Sequence, residues 1–196
     1  MQSLATQEKE LVDKAEEAKK IGAVYKLLSR VFIREVDAPF LRQLRTGCFC
    51  ESLKGVGIDF GDEFQHQNEE ALLEELAVEY ARLFIVPGKA IPPYESVWCE
   101  ERFMGNSTQA VKDFYRRCGI KISDETLMPD HIGLELELMG YLIENKNELA
   151  GEFMKEHLGK WAPQFFSLIE KEASHPFYKE MAKLGKRLLE IENEEI

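Results

Sequence analysis

Two pairs of glutamate and histidine stand three residues apart in the sequence, Glu63 with His66 and Glu172 with His175. Two such pairs, together with two further glutamates, can hold two metal ions in the core of a four-helix bundle. The surrounding sequence opposes that chemistry. A polar, glycine-containing segment holds the first pair, and Pro176 follows His175 and disfavours helical geometry there. Both pairs are therefore predicted to be solvated surface side chains.

His131 and Glu135 lie four residues apart on a predicted helix and share one face, which provides half of a metal site. The chain has neither the glycine-rich phosphate loop nor the dinucleotide-binding glycine pattern of the usual nucleotide sites. Ser96 lacks the flanking glycines of a nucleophile elbow. Because no catalytic set is apparent, the protein is predicted not to be an enzyme, without a metal or a resident cofactor.

The four cysteines do not form a recognisable metal motif. Cys48 and Cys50 are separated by one residue rather than by the two of a zinc knuckle, and Cys99 and Cys118 do not form a second tight pair. They are predicted to be buried free thiols, to which the sequence assigns no role.

Composition narrows the classes of partner. The 196 residues carry a formal net charge of −11, so the chain should repel phosphate backbones, and nucleic acid is not expected as a partner. No run approaches the roughly 18 apolar residues of a membrane span, and the charged N-terminus does not resemble a secretory signal. We therefore expect a cytoplasmic protein that attracts basic peptides.

The helical period dominates the chain and predicts an all-α fold, a single domain over residues 1–196 with a hinge placed near 121–130. Apolar residues recur at three- and four-residue steps, and no segment shows the alternation of a strand. The predicted helices cover residues 8–33, 38–45, 47–57, 69–85, 107–118, 131–148, 151–172 and 176–192.

Several side chains are suited to capping these helices, because they can accept a hydrogen bond from a backbone N–H in the first turn. The expected caps are Asp37, Asn68, Asp130, and Ser107 or Thr108. The segment IDFGDEFQHQN, residues 58–68, is predicted to be a polar connection. Pro163 is expected to interrupt the helix that contains it.

Three segments contain residues whose types are not explained by packing of the core alone. They are EYARLF from Glu79, VPGKAIPPYESVW from Val86, and PDHIGLELELM from Pro129. Together they put aromatics, prolines and carboxylates at helix ends, which suits a groove for an apolar peptide flanked by positive charge. The alternative is that Tyr94 and Trp98 plug the core between two halves of the bundle.

The same segments resemble the TorD/DmsD family of redox-enzyme maturation chaperones, which includes NarJ-like proteins. The family pattern E-Y-x-x-L-F is matched from Glu79, the proline-glycine link at Pro87, and P-P-[YW]-E-S-V-[YW] from Pro92. The pattern D-H-I-G-x-E-L begins at Asp130, and the similarity runs in order from about Ile21 to Leu189. The chain departs from the family at Met128-Pro129, where an acidic residue is common, and at Leu138-Met139, where Phe-Met is common. Because of these departures, the sequence does not identify the subgroup of the family or the client enzyme.

This resemblance implies an all-α cytoplasmic chaperone that binds the twin-arginine leader of a molybdenum-containing oxidoreductase. The apo catalytic subunit would be held back from export until its molybdopterin cofactor is inserted. By the same resemblance, the chain could interact weakly with GTP or the molybdopterin cofactor, and it would be a monomer or a dimer that exchanges C-terminal helices. The residues implicated in leader binding are Leu83, Phe84, Pro93, Tyr94, Glu95, Ser96, Trp98, Asp130, His131 and Glu135.

Physical chemistry gives these residues distinct roles. Tyr94 and Trp98 would offer flat apolar surface on a loop that the prolines already stiffen. Glu95, Asp130 and Glu135 would receive the arginines. An unperturbed His131 would titrate near neutral pH, and leader binding would then weaken in acid. Two other functions stay open: a helical metal-binding or redox enzyme, and a subunit that remains in an oxidoreductase complex.

Overall fold

The computed structural model describes residues 4–55, 57–122, 126–145 and 147–195, and these residues form helices joined by short connections. Within those ranges no β-strand is formed, which confirms the all-α prediction. The helices are α1 (Leu4–Ile33), α2 (Ala38–Leu44), α3 (Gly47–Gly55), α4 (Asp62–His66), α5 (Glu69–Phe84), α6 (Glu95–Glu100), α7 (Asn106–Cys118), α8 (Ile132–Asn145), α9 (Asn147–Phe153), a π-helical turn (Met154–Leu158), α10 (Gly159–Glu172) and α11 (Pro176–Glu195). The predicted hinge overlaps residues 123–125, which lie outside the described ranges, and it stays a prediction.

Helices α1 and α8 form the main pair of the bundle, and glycines let them approach closely. A Cβ on Gly133 would lie 2.6 Å from the Ile33 Cβ, and one on Gly140 would lie 2.9 Å from the Gly22 carbonyl oxygen. No side chain fits at such distances without a shift of the neighbouring helix. This contact fixes the start of α8 against the end of α1, and the start of α8 carries several predicted site residues.

The core is rich in aromatic side chains contributed by most of the helices. Phe32 of α1 lies 5.9 Å from Phe165 and 5.4 Å from Phe166 of α10, measured between ring centroids. Large side chains that are almost completely buried include Trp161, Tyr25 and Tyr178. Burial of this much aromatic surface is the main stabilising contribution that holds α1, α5, α10 and α11 together.

The segment predicted to be a polar connection is partly buried. Phe60 and Phe64 lie in the core, where their rings are 4.7 Å apart and lie 5.1 Å and 5.5 Å from the Phe177 ring. The prediction for residues 58–68 was wrong because two phenylalanines in a polar background are enough to anchor the short helix α4.

The expected break at Pro163 was also misplaced. The chain stays helical through this residue, which lies inside α10. The irregularity comes earlier, in the π-helical turn Met154–Leu158 that joins α9 to α10. Widened turns of this kind occur in helices at functional sites, and this one contains the buried side chain of His157.

Candidate functional site

Residues 85–94 connect α5 to α6, and we call this connection the proline loop. It lies beside the start of α8. Tyr94 and His131 form an isolated antiparallel β-bridge. The Glu95 N–H donates to the Asp130 carbonyl oxygen at 3.0 Å, and the Ile132 N–H donates to the Pro93 carbonyl oxygen at 2.8 Å. Two segments that the sequence analysis singled out separately are therefore joined through their backbones.

Asp130 caps a helix, but not its own. Its carboxylate accepts a hydrogen bond at 3.0 Å from the backbone N–H of Ser96, in the first turn of α6, and its side chain is almost fully buried. At the start of α8 the Gly133 N–H donates instead to Nδ1 of His131 at 3.0 Å. The prediction that Asp130 caps the following helix was wrong, because its Oδ2 accepts instead from a backbone N–H in the first turn of α6.

Glu95 lies in the interior, opposite a histidine that the sequence analysis did not single out. Its carboxylate is 3.0 Å from Nδ1 of His157, and the two side chains are only 3% and 6% exposed. Low exposure makes this contact strong, and it fixes α6 against the π-helical turn. The spacing of His157 and Trp161, four residues apart in EHLGKWAPQF, was the available signal, since such residues share a helix face.

Glu135 is completely buried beside the Glu95–His157 pair. It accepts a hydrogen bond at 3.1 Å from Nε1 of Trp161, and its other oxygen has no hydrogen-bond partner among the described residues. Burial raises the pKa of Glu135 well above its usual value of 4.5, and the negative charge of Glu95 raises it further. A neutral carboxylic acid is the form that this environment favours.

His131 is buried as well, and burial lowers its pKa to about 4 against the opposing effect of Asp130. The expectation that His131 titrates near neutral pH was therefore wrong, because water is excluded from the imidazole. Within the described ranges, no group of three or more His, Cys, Asp and Glu side chains could hold a metal ion.

The two predicted aromatic anchors are half-buried, so each of them both packs and faces outward. Trp98 donates from Nε1 to the Pro92 carbonyl oxygen at 2.7 Å, and its ring lies 6.4 Å from that of Trp161. The Tyr94 ring meets the half-exposed Phe103 ring edge-on at 4.9 Å. The exposed parts of the two rings therefore form an aromatic surface. Hydrogen bonds of the proline-rich segment hold that surface in place.

A cavity of about 570 Å³ opens beside Trp98, and we call it the aromatic cavity. Leu83 forms part of its wall and fixes the loop, since its carbonyl oxygen accepts from the Ile91 N–H at 2.7 Å. Cations border the cavity at Arg82 and Lys89. The remaining lining is mostly apolar and consists of Ala90, Ile91, Pro92, Val97, Trp98 and Leu168, with Glu172 at one side.

The other predicted site residues lie nearby but offer little surface. Pro93 and Ser96 are buried. Phe84 is half-buried and packs against Tyr80 at 4.9 Å and Phe32 at 6.2 Å between ring centroids. The structure therefore brings the ten predicted residues to one region, where the aromatic side chains are partly accessible and the carboxylates are not.

Comparison with known proteins identifies the family. A model of the nitrate reductase delta subunit family matches residues 50–167, more than half of the chain. The chain belongs to this family. The matched range includes both the proline loop and the start of α8.

Several relatives carry chaperone names. A protein of Haemophilus influenzae, named as the Tat proofreading chaperone DmsD, is 34% identical over 126 residues, which is 62% of each chain. The chaperone TorD of Shewanella pealeana is 25% identical over 185 residues, 83% of each chain. The chain thus spans about three fifths of the first relative and most of the second. These matches confirm the resemblance to the TorD/DmsD family, and both relatives carry chaperone names.

A solved structure shares the fold. A crystal structure from Archaeoglobus fulgidus, of a protein assigned to redox enzyme maturation, is 22% identical with a TM-score of 0.60, over 87% of this chain and 93% of that one. At this identity the likeness concerns the fold. Within the described part of the chain, no helix combines the length and the apolar character needed to cross a bilayer.

The three cysteines whose side chains the structure describes differ in exposure. Cys118 is buried as predicted, Cys50 is half-buried, and Cys99 is exposed, contrary to the prediction of a buried thiol. The side chain of Cys48 lies outside the described part. Among Cys50, Cys99 and Cys118 no disulfide bond is formed.

Proposed function

We propose that this chain is a cytoplasmic chaperone that binds the twin-arginine leader of a molybdenum-containing oxidoreductase precursor. It holds the precursor back until its cofactor has been inserted. Family membership supports the chaperone role, and the name of the Haemophilus influenzae relative refers to proofreading for the Tat system. The identity of the client, nucleotide binding and exchange of C-terminal helices stay predictions.

The observation that carries this proposal is the bridge between Tyr94 and His131, with an aromatic cavity beside it. Binding sites for peptides commonly combine a rigid frame with aromatic anchors at the surface. Here backbone hydrogen bonds hold the proline loop against α8, so Tyr94 and Trp98 are positioned before any peptide arrives. Their ordering on binding would cost little entropy.

The buried acidic residues have a supporting role in this proposal. Asp130 caps α6, Glu95 pairs with His157, and Glu135 accepts from Trp161. Each contact ties the loop or the start of α8 to the interior. We therefore assign these carboxylates to positioning the aromatic surface, and the apolar stretch of a leader to the aromatic cavity.

Calorimetric titration with a synthetic twin-arginine leader tests the proposal. We expect saturable binding that weakens when both arginines are replaced by lysine, because lysine does not form the paired hydrogen bonds of a guanidinium. Tyr94→Ala should raise the Kd about tenfold, the usual loss for a central aromatic anchor. Tyr141→Ala is the matched control, since Tyr141 is exposed on α8 away from the loop and should leave the Kd unchanged.

Two outcomes of this titration would contradict different parts of the proposal. Absence of binding to leaders from plausible clients would refute the proposed function. Equal losses in Tyr94→Ala and Tyr141→Ala would instead show that binding occurs away from the proline loop.

A further inference from the structure

The proposed function needs acceptors for the leader arginines, and the carboxylates near the loop are unsuited. Glu95, Asp130 and Glu135 are almost completely buried, and each has at least one contact with another group of the protein. We infer that the paired arginines dock instead in a groove between α4 and α5, which we call the acidic groove. This inference rests on the proposed function and specifies which surface recognises the arginines.

The acidic groove is a cavity of about 570 Å³ with an apolar floor and a carboxylate rim. Phe60, Phe64 and Leu72 form the floor. The rim carries Glu63, Glu74 and Glu75, all exposed. Neither lysine nor arginine occurs among the described residues that line it, so its electrostatic potential should favour a cationic segment with apolar parts.

The rim carboxylates are available to a ligand. In the described part of the chain, no lysine or arginine forms an ion pair with Glu63, Glu74 or Glu75. Glu75 accepts only a neutral hydrogen bond, from the Gln67 amide at 2.8 Å. An arginine side chain could lay its stem on the apolar floor and present its guanidinium to the rim.

Glu79 also lines the groove, but its carboxylate is already paired within the protein. Its two oxygens accept from Nε and one terminal nitrogen of Arg82 at 2.7 and 2.8 Å. Oε1 also accepts from the backbone N–H groups of Ser174 at 2.6 Å and His175 at 3.1 Å. This carboxylate therefore forms a wall of the acidic groove rather than a receptor for a further cation.

The same wall separates the acidic groove from the aromatic cavity. Arg82 lines the aromatic cavity, pairs with Glu79, and donates to the Glu172 carbonyl oxygen at 2.6 Å. Because Arg82 is paired with Glu79, and Lys89 opposes the charge of Glu172 in the lining, the aromatic cavity offers an arginine of the leader no net negative charge. The charges thus favour arginines on one side of the wall and the apolar stretch on the other.

The spacing suits one continuous peptide. Glu75 and Arg82 are seven residues apart on α5, a rise of about 10 Å at about 1.5 Å per residue. An extended peptide advances about 3.3 Å per residue, so three or four residues cover that distance. A segment in which an apolar stretch closely follows two arginines can therefore reach both cavities.

The test combines changes in the protein with changes in the peptide. The full chain carrying Glu74→Gln and Glu75→Gln is titrated with the twin-arginine leader and with a leader whose two arginines are glutamine. We expect the double substitution to raise the Kd of the arginine leader about fivefold, the size of two exposed ion pairs. It should leave the Kd of the glutamine leader unchanged, because the paired charge is then already absent.

Two controls make the comparison specific. Glu16→Gln with Glu17→Gln removes the same charge from the exposed face of α1 and should not change either Kd. Salt should weaken the arginine leader more than the glutamine leader in the parent protein, and this difference should shrink in the groove variant.

The outcomes separate the two proposals. If the arginine leader binds the parent and loses affinity with Tyr94→Ala but not with the groove variant, the acidic groove is refuted and the proposed function stands. Equal losses for both leaders in the groove variant would also refute it. If no arginine-bearing leader binds the parent protein, both proposals fall.

Discussion

The buried imidazole of His131 should make the protein lose stability in mildly acidic solution. His131 is 4% exposed, and its Nδ1 accepts a hydrogen bond at 3.0 Å from the Gly133 N–H, a contact that only the unprotonated nitrogen can make. The perturbation that isolates this effect is His131→Asn. Asparagine can still accept from the N–H two residues ahead, but it does not titrate.

The size of the effect follows from the two pKa values of His131. The pKa is about 4 in the folded protein and 6.5 in its ordinary state. Because the folded pKa is lowered, the unfolded chain binds the proton first, so stability is complete above pH 6.5 and is lost as the pH falls toward 4. Between pH 7 and pH 5 this linkage amounts to about 2 kcal/mol of unfolding free energy.

Urea denaturation at pH 7, 6 and 5 measures this loss, provided that the urea dependence of the unfolding free energy stays constant. The parent should lose about 2 kcal/mol more than His131→Asn over that range. Other buried groups, including Glu135, titrate in both proteins and cancel in the comparison. His66→Asn, at an exposed position, is the control and should retain the pH dependence of the parent.

Parallel losses of stability in the parent and in His131→Asn would refute this reasoning. They would show that the imidazole is already reached by water, or that it stays neutral in the unfolded chain. A smaller loss in His66→Asn than in the parent would assign the effect to surface histidines instead.

Three further substitutions test the contacts that frame the site. Gly133→Ala should lower the free energy of unfolding by about 1–3 kcal/mol in urea, because its Cβ would lie 2.6 Å from the Ile33 Cβ. Glu79→Ala should cost about 2 kcal/mol and lower the thermal midpoint, since it removes the partner of Arg82 and the acceptor of the Ser174 and His175 backbone N–H groups. Asp37→Ala should cost about 1 kcal/mol by the same urea assay, through loss of the cap on α2.

Matched changes elsewhere control for generic effects. Gly47→Ala meets no heavy atom within 4 Å and should not destabilise the protein. Glu16→Ala, at an exposed position of α1, should change the free energy of unfolding by less than about 0.5 kcal/mol. A Gly133→Ala protein as stable as the parent would contradict the close packing of α1 and α8.

Local signals in the sequence predicted helix boundaries well where the capping residue is a neighbour in the chain. Asp37 accepts from the Phe40 N–H at 2.9 Å, and Asn68 accepts from the N–H groups of Glu70 and Ala71. Both were predicted as N-caps. Each contact spans two or three residues, so it depends on composition that a short stretch of sequence displays.

Caps supplied from another segment escaped prediction. Glu100 accepts from the N–H groups of Asn106 and Ser107 at the start of α7, where Ser107 or Thr108 was expected to cap. Asp130 caps α6 from the far side of the proline loop. These acceptors depend on tertiary contacts between segments, which helical periodicity does not contain.

In the candidate site, residue types drew attention to the aromatic residues, but the sequence did not show which carboxylates are buried. Proline, tyrosine and tryptophan in VPGKAIPPYESVW indicated a stiff aromatic loop. The bridge of Tyr94 to His131 is consistent with that prediction, but the prediction was wrong for Trp98, which lies in helix α6. The formal charges of Glu95, Asp130 and Glu135 suggested receptors for arginine, yet all three face the interior. A carboxylate that already accepts hydrogen bonds in a dry environment gains little from a passing cation and would have to leave its partner to bind one.

Exposed carboxylates above an apolar surface can bind a cation without giving up a buried hydrogen-bond partner. The rim of the acidic groove, at Glu63, Glu74 and Glu75, was overlooked in the sequence because its floor comes from Phe60 and Phe64, in a segment taken to be polar. Arginine recognition requires accessible charge as well as an apolar surface for the arginine stem. Since the acidic groove supplies both, and the Arg82–Glu79 pair lines both the acidic groove and the aromatic cavity, α5 is the element that would align the two halves of a leader.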